Sequence, residues 1–171
     1  MSSKITLVTF CLLVLLAAKP AWAESIYTCP DIAKAKKVGG CPSEETLLHM
    51  FSSTCGSTDT KNENPHAKGF CRNYSTFRKV KNTSLWETGD GEYVGYLSCD
   101  LTRDKIKAGK LVKISIGQKR IWDRVICTYD NGSELVLRTR ETCSIPNAIV
   151  MGARMGRMCE AGDKNCKAIC Q

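Results

Sequence analysis

RVICTYDNGSELVLRTR, residues 124–140, decides how the middle of this chain folds. Two runs of alternating apolar residues flank Asp130-Asn131-Gly132, a strong local signal for a β-hairpin. Loop length then sets the register. A two-residue Asn131-Gly132 loop places Cys127 opposite Val136 and Thr128 opposite Leu135, which mixes polar and apolar side chains on each face. A three-residue loop, with Gly132 left-handed in a bulge, places Cys127 opposite Leu135 and Val125 opposite Leu137. Thr128, Glu134, Arg138 and Arg140 then share the other face with Ile126 and Val136. A slip of one residue would carry every side chain across the sheet, so the cleaner separation selects the three-residue turn. Cys127 points into the core.

The same two-residue period extends upstream. EYVGYLSCDLT (92–102) alternates Tyr93, Gly95, Leu97, Cys99 and Leu101 against Val94, Tyr96, Ser98 and Asp100. KLVKISI (110–116) alternates Val112, Ile114 and Ile116 against Leu111, Lys113 and Ser115, and a turn over 117–120 leads into IWDRVICTYD. Nearer the N-terminus PSEETLLHMFSS (42–53) predicts a helix: Ser43 can cap it, Glu44 and Glu45 suit its positive end, and Leu47, Leu48 and Phe51 share a face. The polar stretch 56–69 reads as an exposed loop. The tail beyond Cys143 can be helical after Pro146, against the cost of Gly152 and Gly156, with Cys166 and Cys170 on one helix face. The expected fold is thus a β-rich α+β domain. It has a small antiparallel meander of about four strands, one helix on the N-terminal side and disulfide staples. Residues 24–143 form this domain, and 144–171 form a Cys-rich extension packed on it.

The first 23 residues read as an address. Lys4 precedes an apolar run from Ile5 to Ala18, and Ala21-Trp22-Ala23 offers a small-x-small cleavage pattern. The apolar run is too short to span a bilayer, and no later stretch is long enough. Cleavage after Ala23 takes 23 of 171 residues and leaves 148, enough for one domain with a real core. The expected location is periplasmic or secreted, bacterial rather than eukaryotic, with no transmembrane segment.

Removing Cys11 leaves ten of the 11 cysteines, an even number that suits a fully bridged exported protein. They are Cys29, Cys41, Cys55, Cys71, Cys99, Cys127, Cys143, Cys159, Cys166 and Cys170. Cys71 is expected to close the polar loop onto Cys55. The chain has no C-x-x-C pair, so neither a structural metal nor any cofactor is expected. Removing Lys4 and Lys19 lowers the net charge from +8 to +6, a balance that suits anionic partners.

Tyr27–Pro30 (YTCP), Trp86 ahead of the sheet, and Ile126–Tyr129 (ICTY) on a hydrophobic strand resemble a family of small exported bacterial proteins of unknown function. That family's domain has a Cys-Pro start and a late Cys-x-Tyr strand. The likeness runs from Tyr27 to Arg140 and leaves out the Cys-rich tail. The family's Trp-x-Gly-like segment is here LWETGDG (85–91), and several cysteines are additional. The resemblance implies a compact β-rich domain with no assigned activity. It also implies a bridge between the first and the late cysteine, Cys29 with Cys127, ahead of Cys99 with Cys127.

Motifs for catalysis are missing or weak. His49 and His66 are the two histidines, and nothing in the sequence brings them together as a nuclease pair would require. No Gly-x-Ser-x-Gly elbow occurs, cysteine nucleophiles are excluded if all are bridged, and Asp90 with Glu92 or Asp100 with Asp104 read as solvated acids. Sequons begin at Asn73, Asn82 and Asn131. No catalytic residue is assigned. The candidate binding surface is Arg138, Arg140, Tyr96 and Trp86, a set of aromatics beside arginines; a competing assignment places Trp86 and Trp122 in the core. The expected function is binding or interaction at the bacterial envelope or outside it. The partner is a protein or an anionic polymer rather than nucleic acid. A small secreted hydrolase or nuclease, or an inhibitor or toxin, is the alternative.

Overall fold

The computed structural model describes residues 24–119, 121–146, 148–150, 157–163 and 165–171. The expected leader with its cleavage site, and the two tail glycines Gly152 and Gly156, lie outside the described residues. The order of elements is β1 (Ser25–Tyr27), β2 (Lys36–Lys37), α1 (Glu44–Cys55), α2 (Tyr74–Lys81), β3 (Thr83–Glu87), β4 (Tyr93–Ser98) and α3 (Arg103–Lys107). It continues with β5 (Leu111–Lys119), β6 (Trp122–Tyr129), β7 (Glu134–Thr139), β8 (Cys143–Ser144), β9 (Ile149–Val150), β10 (Arg157–Glu160) and β11 (Ala168–Cys170). Two antiparallel sheets result: an eight-stranded one in the order β2-β3-β4-β7-β6-β5-β10-β9, and a three-stranded one in the order β1-β11-β8. The fold is β-rich α+β. The main sheet is larger than the expected four-strand meander, and among the described residues three α-helices replace the expected one.

The β6–β7 hairpin has the three-residue turn. Cys127 lies opposite Leu135 and Val125 opposite Leu137, and Gly132 takes φ 79°, a left-handed conformation that costs glycine little. The Gly132 amide donates to the Tyr129 carbonyl, and the Tyr129 amide donates to the Ser133 carbonyl. In β5 the alternation is interrupted. Leu111 pairs with Tyr129 while Lys113 pairs with Thr128, so Val112 is the extra residue of a bulge and is exposed rather than buried. The turn expected over 117–120 is shorter, because β5 runs on until Lys119 lies opposite Trp122.

The tail is not helical where it is described. β10 pairs with β5, β9 continues the same sheet beyond β10, and β11 is the middle strand of the small sheet. Cys166 and Cys170 therefore do not share a helix face. Ser25 lies opposite Cys170, so the first strand of the described chain pairs with the last.

One face of the large sheet buries Trp86, Tyr93, Leu97, Ile114, Ile116, Val125, Cys127, Leu135 and Leu137 in a single core with Ile32, Ile106, Ala168 and Cys170. Burying an aliphatic or aromatic side chain of this size stabilises by roughly 1.5 to 3 kcal/mol. A smaller cluster joins α1 to α2 through Leu47, Phe51, Tyr74 and Phe77. The Ser43 hydroxyl accepts from the Thr46 amide and caps α1, which ends at Gly56 in a left-handed conformation. Leu48, assigned to the buried face with Leu47 and Phe51, is exposed.

All ten cysteines expected to be bridged are bridged: Cys29–Cys127, Cys41–Cys99, Cys55–Cys71, Cys143–Cys170 and Cys159–Cys166. Among the described residues no helix is long and apolar enough to cross a membrane. Cys29 does more than bridge. Cys127 and Tyr129 are two apart on β6 and so face the same side; Cys127 takes Cys29, and the Tyr129 hydroxyl donates to the Pro30 carbonyl at 2.6 Å. From β4 the Tyr93 hydroxyl donates to the Thr28 carbonyl at 3.1 Å. The segment Thr28-Cys29-Pro30 is thus clasped at three successive residues.

The two clasp tyrosines resist ionisation. Burial, reinforced by the Glu92 carboxylate, pushes Tyr93 up to about 12, and burial likewise raises Tyr129. A folded pKa above the unfolded value of about 10 contributes stability that is complete below pH 10 and lost as pH rises toward and through the folded value. Tyrosinate absorbance should therefore lag behind that of a denatured control above pH 10, and the urea midpoint should fall over the same range. A titration matching the denatured control would contradict the clasp.

Candidate functional site

The four residues of the expected binding surface separate on inspection of the sheet's two faces. Trp86 is 1% exposed: β3 points it, with Ser84, into the core, where its indole N–H donates to the Ser84 hydroxyl at 3.0 Å. It leaves the candidate surface, and its burial follows from the period of TSLWE once that stretch is a strand rather than a loop. Arg138 and Arg140 are exposed on the outer face, and so is Tyr96, 70% exposed on β4. The three are not one cluster. Val94 lies opposite Val136, so Tyr96 is displaced from Arg138 by four residues along β7, roughly 13 Å at about 3.4 Å per residue.

Trp122 supplies the aromatic that sequence reading assigned to Trp86. It occupies the outward phase of β6, opposite in phase to Asp123, Val125 and Cys127, and keeps 39% of its surface exposed. The Arg140 guanidinium stacks over its ring, 4.8 Å from the centroid. One step inward along the hairpin, Arg124 and Arg138 are direct cross-strand partners. Like charges placed directly opposite oppose strand pairing. The Arg124 guanidinium leans the other way, over Gly117 of β5: a Cβ at Gly117 would lie 3.2 Å from Nη2 and 3.5 Å from Nε. There its Nε is shut off from solvent and has no hydrogen-bond partner among the described residues.

Two other arginines, Arg72 and Arg78, are matched. Arg72 pairs with Glu63, and Arg78 bridges Glu44 and Asp100 at 3.3 and 3.0 Å. Arg78 draws the Glu44 carboxyl down, behind the larger effect of the Tyr74 hydroxyl donating to it. Among the described residues no such ion pair takes Arg124, Arg138 or Arg140. Beyond them the outer face carries half-buried Ile126, Val136, Val94 and Leu85. At the Tyr96 end it runs into an open groove of about 630 Å³ lined by Pro42, Met50, Val80, Lys81 and Tyr96.

The remaining sequence candidates have structural roles or stay apart. His49 lies on α1 and His66 in the loop beyond it, both exposed. Asp90 accepts from the Thr88 hydroxyl and the Glu92 amide, which holds its carboxyl low, and Asp100 accepts from Arg78 and Asn82. The three sequon asparagines each use their carboxamide N–H internally. Asn73 donates to Glu63, Asn82 to Asp100, and Asn131 to the carbonyls of Lys105 and Ile106. A glycan replaces one carboxamide hydrogen, so on Asn131, which donates to two carbonyls, it would displace one of these bonds.

Compared with models of known protein families, with curated proteins and with solved structures, the chain gives no match.

Proposed function

We propose that the chain is an exported binding module that holds an anionic polymer, of the acidic polysaccharide type, against the outer face of its large sheet. The observation that carries this reading is the row of Trp122, Arg124, Arg138 and Arg140, three guanidiniums without carboxylate partners among the described residues, beside an exposed indole, on two paired strands and just past the end of one. Strands of a packed sheet present side chains at fixed spacing, so a partner is met without first ordering the site. Five disulfides fit an oxidising compartment, where envelope and extracellular polysaccharides are found. The net surplus of positive charge would add long-range attraction.

The chain should bind a heparin matrix at low salt and elute as salt rises. Arg138→Gln with Arg140→Gln should lower the slope of log K against log salt by about one per arginine, as expected for lost counterion-releasing contacts. Flow-through of the unmodified chain at low salt would reject the reading.

A further inference from the structure

In the free protein Arg124 is doubly unfavourable. It stands directly opposite Arg138, and its Nε is buried without a partner among the described residues while the guanidinium lies across Gly117. Gly117 supplies no side chain to hold it there, and the space a Cβ would fill at Gly117 is shared by the guanidinium and the Ile126 side chain. A tetrahedral oxyanion set between the two strands would answer both problems. It neutralises the like-charge pair, and it gives Arg124 acceptors once the guanidinium swings off Gly117 toward β7. A carboxylate holds its acceptors in one plane, whereas a sulfate or phosphate ester presents three terminal oxygens in different directions and so fits two guanidiniums that approach from two strands. Next to this pair, Trp122 is backed by Arg140 and partly exposed, a flat apolar surface beside the charge.

We infer that Arg124 and Arg138 form a subsite for one sulfate or phosphate ester of a polysaccharide, with the ester's sugar ring resting on Trp122. This rests on the polymer-binding reading above and names the unit that the polymer must carry. The subsite distinguishes tetrahedral esters from carboxylates at equal charge, which a merely basic surface does not.

The probes are dextran sulfate, dextran phosphate and carboxymethyl dextran matched in length and charge density, followed by tryptophan fluorescence. In a chain lacking residues 1–23, and with them Trp22, Trp86 is buried and gives a constant background, so a change reports Trp122. Dextran sulfate, dextran phosphate or both should bind at least 10-fold tighter than carboxymethyl dextran and shift the Trp122 emission. Preference for one ester would name the source. Arg124→Gln and Arg138→Gln should each weaken that binding about 10-fold and flatten the difference from carboxymethyl dextran. Arg72→Gln, whose guanidinium is already held by Glu63, should change it less than twofold. Melting curves close to that of the unmodified chain confirm that the glutamine variants are folded. Equal binding of all three dextrans, or glutamine variants that bind ester dextrans as the unmodified chain does, overturns the subsite while heparin retention still stands. Loss of all retention removes the broader reading with it. Tighter binding of a DNA duplex than of either ester dextran also overturns the sugar-ring assignment.

Discussion

Replacing Cys29 and Cys127 together by alanine is expected to lower the unfolding free energy by about 4 to 5 kcal/mol. The bridge spans a separation of 98 residues, but the nested Cys41–Cys99 bridge shortens the loop it closes in the unfolded chain to about 40, for which the loop-entropy estimate is about 4 kcal/mol. Cys127 is fully buried on β6, inside the large sheet, so the double variant also opens a small void in the core. Against a total stability of roughly 5 to 15 kcal/mol for a domain, such a loss leaves a protein near its folding threshold. The matching test is Cys159→Ala with Cys166→Ala. Its separation is 7 residues, for which the same estimate gives about 2 kcal/mol. Denaturant midpoints should therefore separate the two double variants widely. Equal losses would mean that the long-range bridge contributes nothing beyond a local one, and that the hydroxyls of Tyr93 and Tyr129 hold the N-terminal segment by themselves.

Gly95→Ala is expected to cost about 3 kcal/mol or more, a large effect for the addition of one methyl group. A Cβ on Gly95 would lie 3.0 Å from the Leu135 side chain, and closer still to the backbone carbonyl of Glu134 than any real Cβ approaches. That carbonyl belongs to β7 and cannot rotate away without breaking the pairing of β4 with β7. The two halves of the sheet meet at this seam, since β2, β3 and β4 lie on one side and β7, β6 and β5 on the other. Gly132→Ala, strained by its positive φ but open in space, should cost less, near 1 kcal/mol. Thermal melts of the two variants give the ranking, and a milder loss at Gly95 than at Gly132 would show that the seam accommodates a side chain.

The hairpin could be read from the sequence because loop, alternation and face polarity agree there: only one register separates Thr128, Glu134 and Arg138 from Val125, Cys127 and Leu135. Elsewhere two signals competed. Val112 keeps the alternation of KLVKISI unbroken, so the bulge that expels it is visible only when the partner strand is known. In the tail, Cys166 and Cys170 satisfy helical spacing equally well, and their true partners, Cys159 and Cys143, lie on different strands. The helix α2 is eight residues long with two buried aromatics, too short for its period to stand out, although Asn73 at its start and three basic residues in its last turn were available cues. Of the candidate surface, Arg138 and Arg140 were legible because the hairpin register places them outward. Trp86 and Trp122 were exchanged for a related reason. The register that sends Cys127 inward also sends Trp122 outward, whereas the inward phase of Trp86 depends on β3, whose five residues are bounded by no clear turn signal before Thr83.

The meeting of Ser25 with Cys170 bears on the order in which the molecule can be assembled. In a chain emerging N-terminus first, β1 is made long before β11, the strand that must lie beside it. Contacts so far apart in sequence are slow to form, and until they form the strand edge and the apolar side of the hairpin stay uncovered. Completion of this fold therefore waits for β11, and a nascent chain held short of it keeps its cysteines and apolar edges available to chaperones or to thiol oxidants.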